Sequence, residues 1–232
     1  MRGLFVTGTD TGVGKTMIST ALLQAARARG LRVAAMKPVE TGCTRDEGGL
    51  LPSDALQLAR SSSPALGIRL DDVCPYRFEL PAAPSVAAVA ARASIVIEVI
   101  QRAHARLLRA APDLLVVEGA GGLLVPTGPD ETIADLARTF GYPILIVAPN
   151  RLGTINHTLL TIEVARHRGL TVAGVVLNAS GDDPTTSTNA GEIERLGRTR
   201  VLGSFPHFPA HESGDLATVA EQSLDLTELL PR

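Results

Sequence analysis

Residues 8–16 read Gly8-Thr9-Asp10-Thr11-Gly12-Val13-Gly14-Lys15-Thr16, set between the apolar run Leu4-Phe5-Val6 and a helix-like segment over 17–29. Consecutive backbone N–H groups opening into a helix amino terminus concentrate positive potential where phosphate oxygens sit. In that setting Lys15 reaches the terminal phosphates and the Thr16 hydroxyl serves Mg²⁺. The strict pattern has glycine six residues before the lysine; here that position is Thr9, and Gly8 comes one residue early. Lys37 closes the next apolar run, 33–36, so in a parallel sheet it projects from the carboxyl end of a neighbouring strand. Lys15 and Lys37 are the two lysines among 22 basic residues. A chain that otherwise uses arginine keeps lysine where a compact, mobile point charge does what a rigid guanidinium fork cannot.

Carboxylates facing the loop are the second requirement of a Mg²⁺-nucleotide site. Glu118 ends the most apolar run, 114–117, and is followed by Gly119-Ala120-Gly121-Gly122. An acid at the carboxyl end of a buried parallel strand points into the ligand crevice, and small residues after it let backbone approach a phosphate. Asp54 lies in the first turn of a helix-like segment, where it fits a cap or a dipole partner as well as a metal ligand.

These groups need a frame. Strand-like runs recur at 4–7, 33–36, 114–117, 144–148, 172–177 and 201–204, mostly separated by helix-like segments. Near-continuous Val/Ile/Leu runs without alternation indicate strands covered on both faces, hence a doubly wound, mainly parallel α/β sheet flanked by helices. At 232 residues and 45% hydrophobic content the chain fits one domain, residues 1–232. Residues 41–52 and 179–191 are expected to be mobile surface loops, and 85–109 one or two crossover helices. A net charge of −2 offers no basic stripe, which argues against nucleic acid. No run approaches the roughly 18 apolar residues of a membrane span, and the start is too short for a signal peptide, so a cytoplasmic protein is expected. Cys43 and Cys74 stand apart and read as reduced thiols. No spacing links the histidines to a catalytic set.

The loop at 8–16, Lys37-Pro38-Val39-Glu40-Thr41-Gly42, Ser53-Asp54-Ala55, the segment 118–122 and Leu152-Gly153-Thr154-Ile155-Asn156-His157 together resemble the dethiobiotin synthetases, P-loop enzymes of biotin synthesis. The match runs in the family's order as far as residue 208. The resemblance implies a ligase that uses ATP, Mg²⁺ and CO₂ (bicarbonate) to close 7,8-diaminopelargonic acid into the cyclic urea dethiobiotin, releasing ADP and phosphate. It also implies a homodimer. Carried over, Gly12, Val13, Gly14, Lys15, Thr16 and Met17 hold the triphosphate, with Gly119, Ala120 and Gly121 beside it. Thr16, Asp54 and Glu118 ligate Mg²⁺. Lys37 is the principal catalytic residue, aided by Lys15, while Thr11 and Thr41 contact the diamine or its carbamate. Gly153, Thr154, Ile155 and Asn156 serve the distal carboxylate. Asn178 and Ala179 read adenine, walled by Pro206, His207 and Phe208.

One departure concerns 179–191, which holds no tyrosine to reach that carboxylate; Ser187, Thr188 and Asn189 are the replacement candidates. A partition or septum-positioning switch ATPase is the main rival, but such proteins carry an additional lysine early in the loop, where this chain has Asp10. A small-molecule kinase lacks its arginine-rich lid here, and a GTPase its Asn-Lys-x-Asp reader.

Overall fold

The computed structural model describes residues 2–179, 183–184, 186–207 and 215–230. Strand β1 (Arg2–Gly8) leads through the glycine-rich loop into α1 (Lys15–Ala28), and β2 (Val33–Met36) follows. The chain then leaves the main sheet for β3 (Val39–Thr41), β4 (Thr44–Asp46), β5 (Gly49–Leu51), α2 (Ser53–Ser61), α3 (Leu70–Val73) and β6 (Tyr76–Phe78). Two crossover helices, α4 (Pro84–Ala90) and α5 (Ile97–Arg109), return it to β7 (Leu114–Gly122). The remainder alternates: α6 (Ile133–Phe140), β8 (Ile144–Asn150), α7 (Thr154–His167), β9 (Val172–Ala179), α8 (Thr186–Gly197), β10 (Val201–Phe205) and α9 (Leu216–Ser223).

Six strands form one sheet in the order β10-β9-β8-β1-β7-β2, every neighbouring pair parallel. The winding reverses at β1, whose neighbours β7 and β8 belong to opposite halves, and a crevice opens at the carboxyl ends beside such a reversal. Alternate residues of each strand feed two cores. Leu115 and Val117 face Ile100, Leu107, Ile133 and Ile162 of α5, α6 and α7. Leu114 and Val116 face Ile18 and Leu22 of α1 and the carboxyl-terminal Leu226 and Leu229. At about 25 cal/mol per Å² of apolar burial, such double coverage supplies most of the sheet's stabilisation. Among the described residues no helix is long and apolar enough to cross a membrane. Cys43 and Cys74 are unpaired and buried.

The structure corrects three expectations. Within 41–52, expected as loop, residues 44–51 form a hairpin: β4 and β5 pair antiparallel, with Gly49 at φ 115° and the Asp46 carboxylate taking the Gly48 N–H at 2.7 Å. The polar stretch 179–191 contains the start of α8, whose buried stripe begins with Asn189 and continues with Ile193. A stripe that opens on asparagine is invisible to a hydrophobic pattern. Finally, β7 does not end at Glu118 but continues through the glycines, because Gly122 still pairs beside Gly8.

Candidate active site

The phosphate loop is shaped by two left-handed glycines, Gly12 at φ 73° and Gly14 at φ 94°. Gly14 caps α1, and any Cβ there would lie 2.2 Å from the Asn178 amide nitrogen. No side chain caps this helix and no acid occupies its first turn, so its leading N–H groups and dipole keep their positive potential for a ligand. The loop is pinned from three sides. Thr9 N donates to Val147 O at 3.0 Å, Asn178 Nδ2 to Val13 O at 3.1 Å, and Lys15 Nζ to Asp10 O at 3.2 Å.

Opposite the loop stands Glu118, wholly buried at 0% exposure. One of its oxygens, Oε1, accepts from Thr16 Oγ1 at 2.8 Å and Lys37 Nζ at 2.5 Å; the other, Oε2, accepts from Ser19 Oγ at 2.8 Å. Lys37 Nζ also reaches Asp54 Oδ2 at 2.9 Å. Such a carboxylate is tolerated in the interior only because every lone pair in use meets a donor.

The two ammonium groups are not alike. Burial disfavours charge on Lys37, but the attraction of Glu118 and Asp54 outweighs it and holds that ammonium above the usual lysine range. Burial, helped by repulsion from Lys37, pulls Lys15 down to about 8 against Glu118, Asp54 and Asp10. Asp54 is itself disfavoured by burial, yet Lys37 holds its carboxyl below the ordinary range.

Lys15, Lys37, Thr16 and Asp54 line one cavity of about 590 Å³, together with Thr11 and Thr41. Hard oxygens from Thr16, Asp54 and Glu118 converge where an ammonium already sits, so a small divalent cation with substrate phosphates fits this donor set. The cavity can therefore accept a polyphosphate at the loop and a second anionic group between the lysines.

Comparison with known proteins decides the family. An AAA-domain family model matches residues 2–213. The ATP-dependent dethiobiotin synthetase BioD of Anaeromyxobacter dehalogenans (strain 2CP-C) is 49% identical over 212 residues, covering 90% of this chain and 92% of that protein. That of Cellvibrio japonicus is 41% identical over 230 residues, covering 99% and 98%. The chain belongs to the dethiobiotin synthetase family. In fold it is similar to the MinD-containing cell-division complex of Aquifex aeolicus, at a TM-score of 0.55 and 15% identity over 90% of this chain and 83% of that one. A ParA family ATPase of Chlorobium tepidum gives 0.54 at 12% identity, over 95% and 91%. At such identities these two proteins share the fold alone with this chain.

Within this dethiobiotin synthetase chain the expected site residues divide into three sets. Thr11, Gly12, Gly14, Lys15, Thr16, Met17, Lys37, Thr41, Asp54, Ala120 and Gly121 line the cavity, with buried Glu118 bonded to two of them. Val13 and Gly119 are buried behind it, Gly119 against Phe5 and Ile133. Asn178 and Ala179 end β9, and Asn178 tethers the loop through Val13; Pro206 and His207 are exposed after β10, and Phe208 lies outside the described residues.

The start of α7 stands apart. Gly153 caps it at φ 91°, but Gly153, Thr154, Ile155 and Asn156 are not on the cavity wall. The Thr154 N–H is engaged by Arg151 O at 3.1 Å and its hydroxyl is buried. Of the replacement candidates, Ser187 and Thr188 are exposed, whereas Asn189 is buried against Asn150 Oδ1 at 2.9 Å and faces inward. Arg166, to which α7 runs, binds the carbonyls of Gly197 and Arg198 at the end of α8.

Sequence reasoning missed two residues at this site, Ser19 and Glu40. Ser19 was legible in principle: it falls one helical turn after Thr16 and so shares its face.

Proposed function

We propose that this chain is an ATP-dependent dethiobiotin synthetase, carboxylating 7,8-diaminopelargonic acid with CO₂ and closing the ureido ring. The observation that carries the reading is the convergence of Lys15 and Lys37 on one cavity with Thr16 and Asp54. An amine of the substrate captures CO₂ as a carbamate, whose oxygen attacks the γ-phosphate, breaking its bond to the bridging oxygen and releasing ADP, to give a carbamic-phosphoric anhydride. The second amine then attacks the carbamoyl carbon, the ring closes, and phosphate leaves.

Little covalent chemistry falls to the protein, so rate comes from positioning and from offsetting charge. The loop N–H groups and Lys15 hold the phosphates. Lys37, kept charged by its acidic partners, stabilises the carbamate and the oxygens of the transferring phosphoryl group. Thr16, Asp54 and Glu118 would hold Mg²⁺, which when bound neutralises phosphate charge. Thr11 and Thr41 orient the diamine end, Asn178 and Ala179 read adenine, and Pro206, His207 and Phe208 wall that pocket.

The distal carboxylate is assigned to the start of α7, residues 153–156, where Thr154 contributes through its position and not through its N–H, which Arg151 O already takes. Because that helix start lies off its own chain's cavity wall, a homodimer in which one copy completes the other's site fits its placement. The exposed side of this region, with Leu152 at 78% exposure, suits such a contact.

The product assay tests the reading. Purified protein with ATP and Mg²⁺ should release ADP only when diamine and bicarbonate are both present. The diamine should gain the mass of one CO₂ less one water. ATP hydrolysis indifferent to the diamine would point to a switch ATPase instead.

A further inference from the structure

We propose that Glu40 is a positioning residue: from β3 it caps α2 and thereby sets where the Asp54 carboxylate stands against Lys37. Glu40 is 4% exposed, and a buried carboxylate needs a reason. Its Oε1 accepts the Asp54 N–H at 3.0 Å and the Ser53 hydroxyl at 3.4 Å, and its Oε2 accepts the Ala55 N–H at 2.8 Å. The first N–H groups of a helix have no acceptor within it. In α2 the residue before the helix is Pro52, whose side chain offers none. Glu40 supplies that cap from another element, with charge-assisted bonds that also suit the positive end of the helix dipole.

The consequence is geometric. Asp54 is the second residue of α2, so fixing its own N–H and the next one fixes its Cα and the direction of its side chain. Glu40 follows Lys37 by three residues on the path out of β2, so the same carboxylate ties the lysine's strand to the acid's helix across the intervening hairpin. Without that tie the 2.9 Å contact between Lys37 Nζ and Asp54 Oδ2 rests on two side chains, of which Asp54 is 42% exposed. Glu40 borders the same cavity as Lys37 and Asp54, but both its carboxylate oxygens are taken by N–H groups of α2, so in this scheme it acts through Asp54.

The inference rests on the proposed role of Asp54 toward Mg²⁺, so the test separates the two. Full-length wild type, Glu40→Ala, Glu40→Gln and Asp54→Asn are titrated with Mg²⁺ in two ways: by dethiobiotin formation at saturating ATP and diamine, and by equilibrium binding of a fluorescent ADP analogue. Melting temperatures show that each variant is folded. Glu40→Ala is expected to raise the half-saturating Mg²⁺ by about tenfold in both readouts, the scale of losing a group that orients a metal ligand. The diamine KM should change by less than about twofold. Glu40→Gln, which keeps one acceptor oxygen, should shift Mg²⁺ by about threefold and carries the test if the alanine variant does not fold. A plain structural cap would lower the melting temperature and leave both Mg²⁺ curves in place. That result, alongside a shifted Asp54→Asn, overturns the proposal. If Asp54→Asn itself leaves the Mg²⁺ curves unchanged, the metal role of Asp54 fails instead. A crystal structure of Glu40→Gln then decides the positioning claim: Asp54 drawn away from Lys37 supports it, and an unmoved carboxylate ends it.

Discussion

The two ends of the sheet solve opposite problems. At the carboxyl end, Glu118, Lys37, Asp54 and Glu40 are gathered against a glycine loop, and each buried charge is held by a named partner. At the amino end the space beside β1 is filled by rings: Tyr142 lies against Gly3, Phe140 stacks near Tyr142 at 6.2 Å, and His104 Nε2 meets the Tyr142 hydroxyl at 2.8 Å. Charges buried at one end cost stability unless fully bonded, whereas aromatic packing at the other contributes stability. The contrast teaches that this fold keeps its chemistry and its packing at separate ends of the same strands. Substitutions at one end should therefore move activity, and at the other, folding alone.

Lys37→Arg is the strongest challenge to the catalytic end. It keeps the charge but not the shape, and turnover should fall about a hundredfold or more, the scale of one lost electrostatic donor. Dethiobiotin formation near the wild-type rate would remove Lys37 from the mechanism.

Next in size, Ser19→Ala leaves the buried Glu118 Oε2 without its donor. Denaturant unfolding should show a loss of about 1–3 kcal/mol, accompanied by a higher Mg²⁺ requirement. Unchanged stability and unchanged Mg²⁺ dependence together would mean that the hydroxyl does not hold this carboxylate.

At the packing end, a Cβ on Gly3 would lie 2.1–2.4 Å from the Tyr142 ring. Gly3→Ala should cost about 1–3 kcal/mol through overpacking, with kcat intact, and Tyr142→Leu in the same chain should recover part of the loss. A drop in kcat at full folding would show the two ends to be coupled.

The smallest effect is a pH dependence. Burial holds the His104 pKa below its ordinary 6.5. The unfolded chain then binds more protons over the window from that lowered value up to 6.5, so stability rises with pH across it and is lost on acidification. Melting temperatures between pH 7.5 and 5 should fall less in His104→Gln than in wild type; parallel curves would exclude the histidine as the cause.

How far the site could be read from sequence differs residue by residue. The loop at 8–16, Lys37 and Glu118 were legible because strand–glycine loop–helix order and an acid closing an apolar run are local signals. The six sheet strands were legible as short apolar runs, plainest in β7 and β8, where burial on both faces leaves near-continuous Val/Ile/Leu. The hairpin β4–β5 was not, because its strands are only three residues long, β4 polar and exposed and β5 a Gly-Leu-Leu too short to show alternation. Nor was Glu40: its partners lie 13–15 residues away, and only the folded path of β3 past α2 makes a glutamate in a short strand the cap of another element.

By itself the chain determined that a glycine loop opens into the start of α1, the place where phosphate is expected, since glycine spacing and a helix start need no distant partner. It also determined the sheet class and, through its motifs, the family. What only the tertiary structure decided is which groups share a charge: that Lys37 lies between Glu118 and Asp54, that Ser19 holds the far oxygen of Glu118, and that the start of α7 stands off the cavity. Coulomb energies depend on separations of a few ångströms and on the local exclusion of water, and neither is set until strands far apart in sequence are brought side by side.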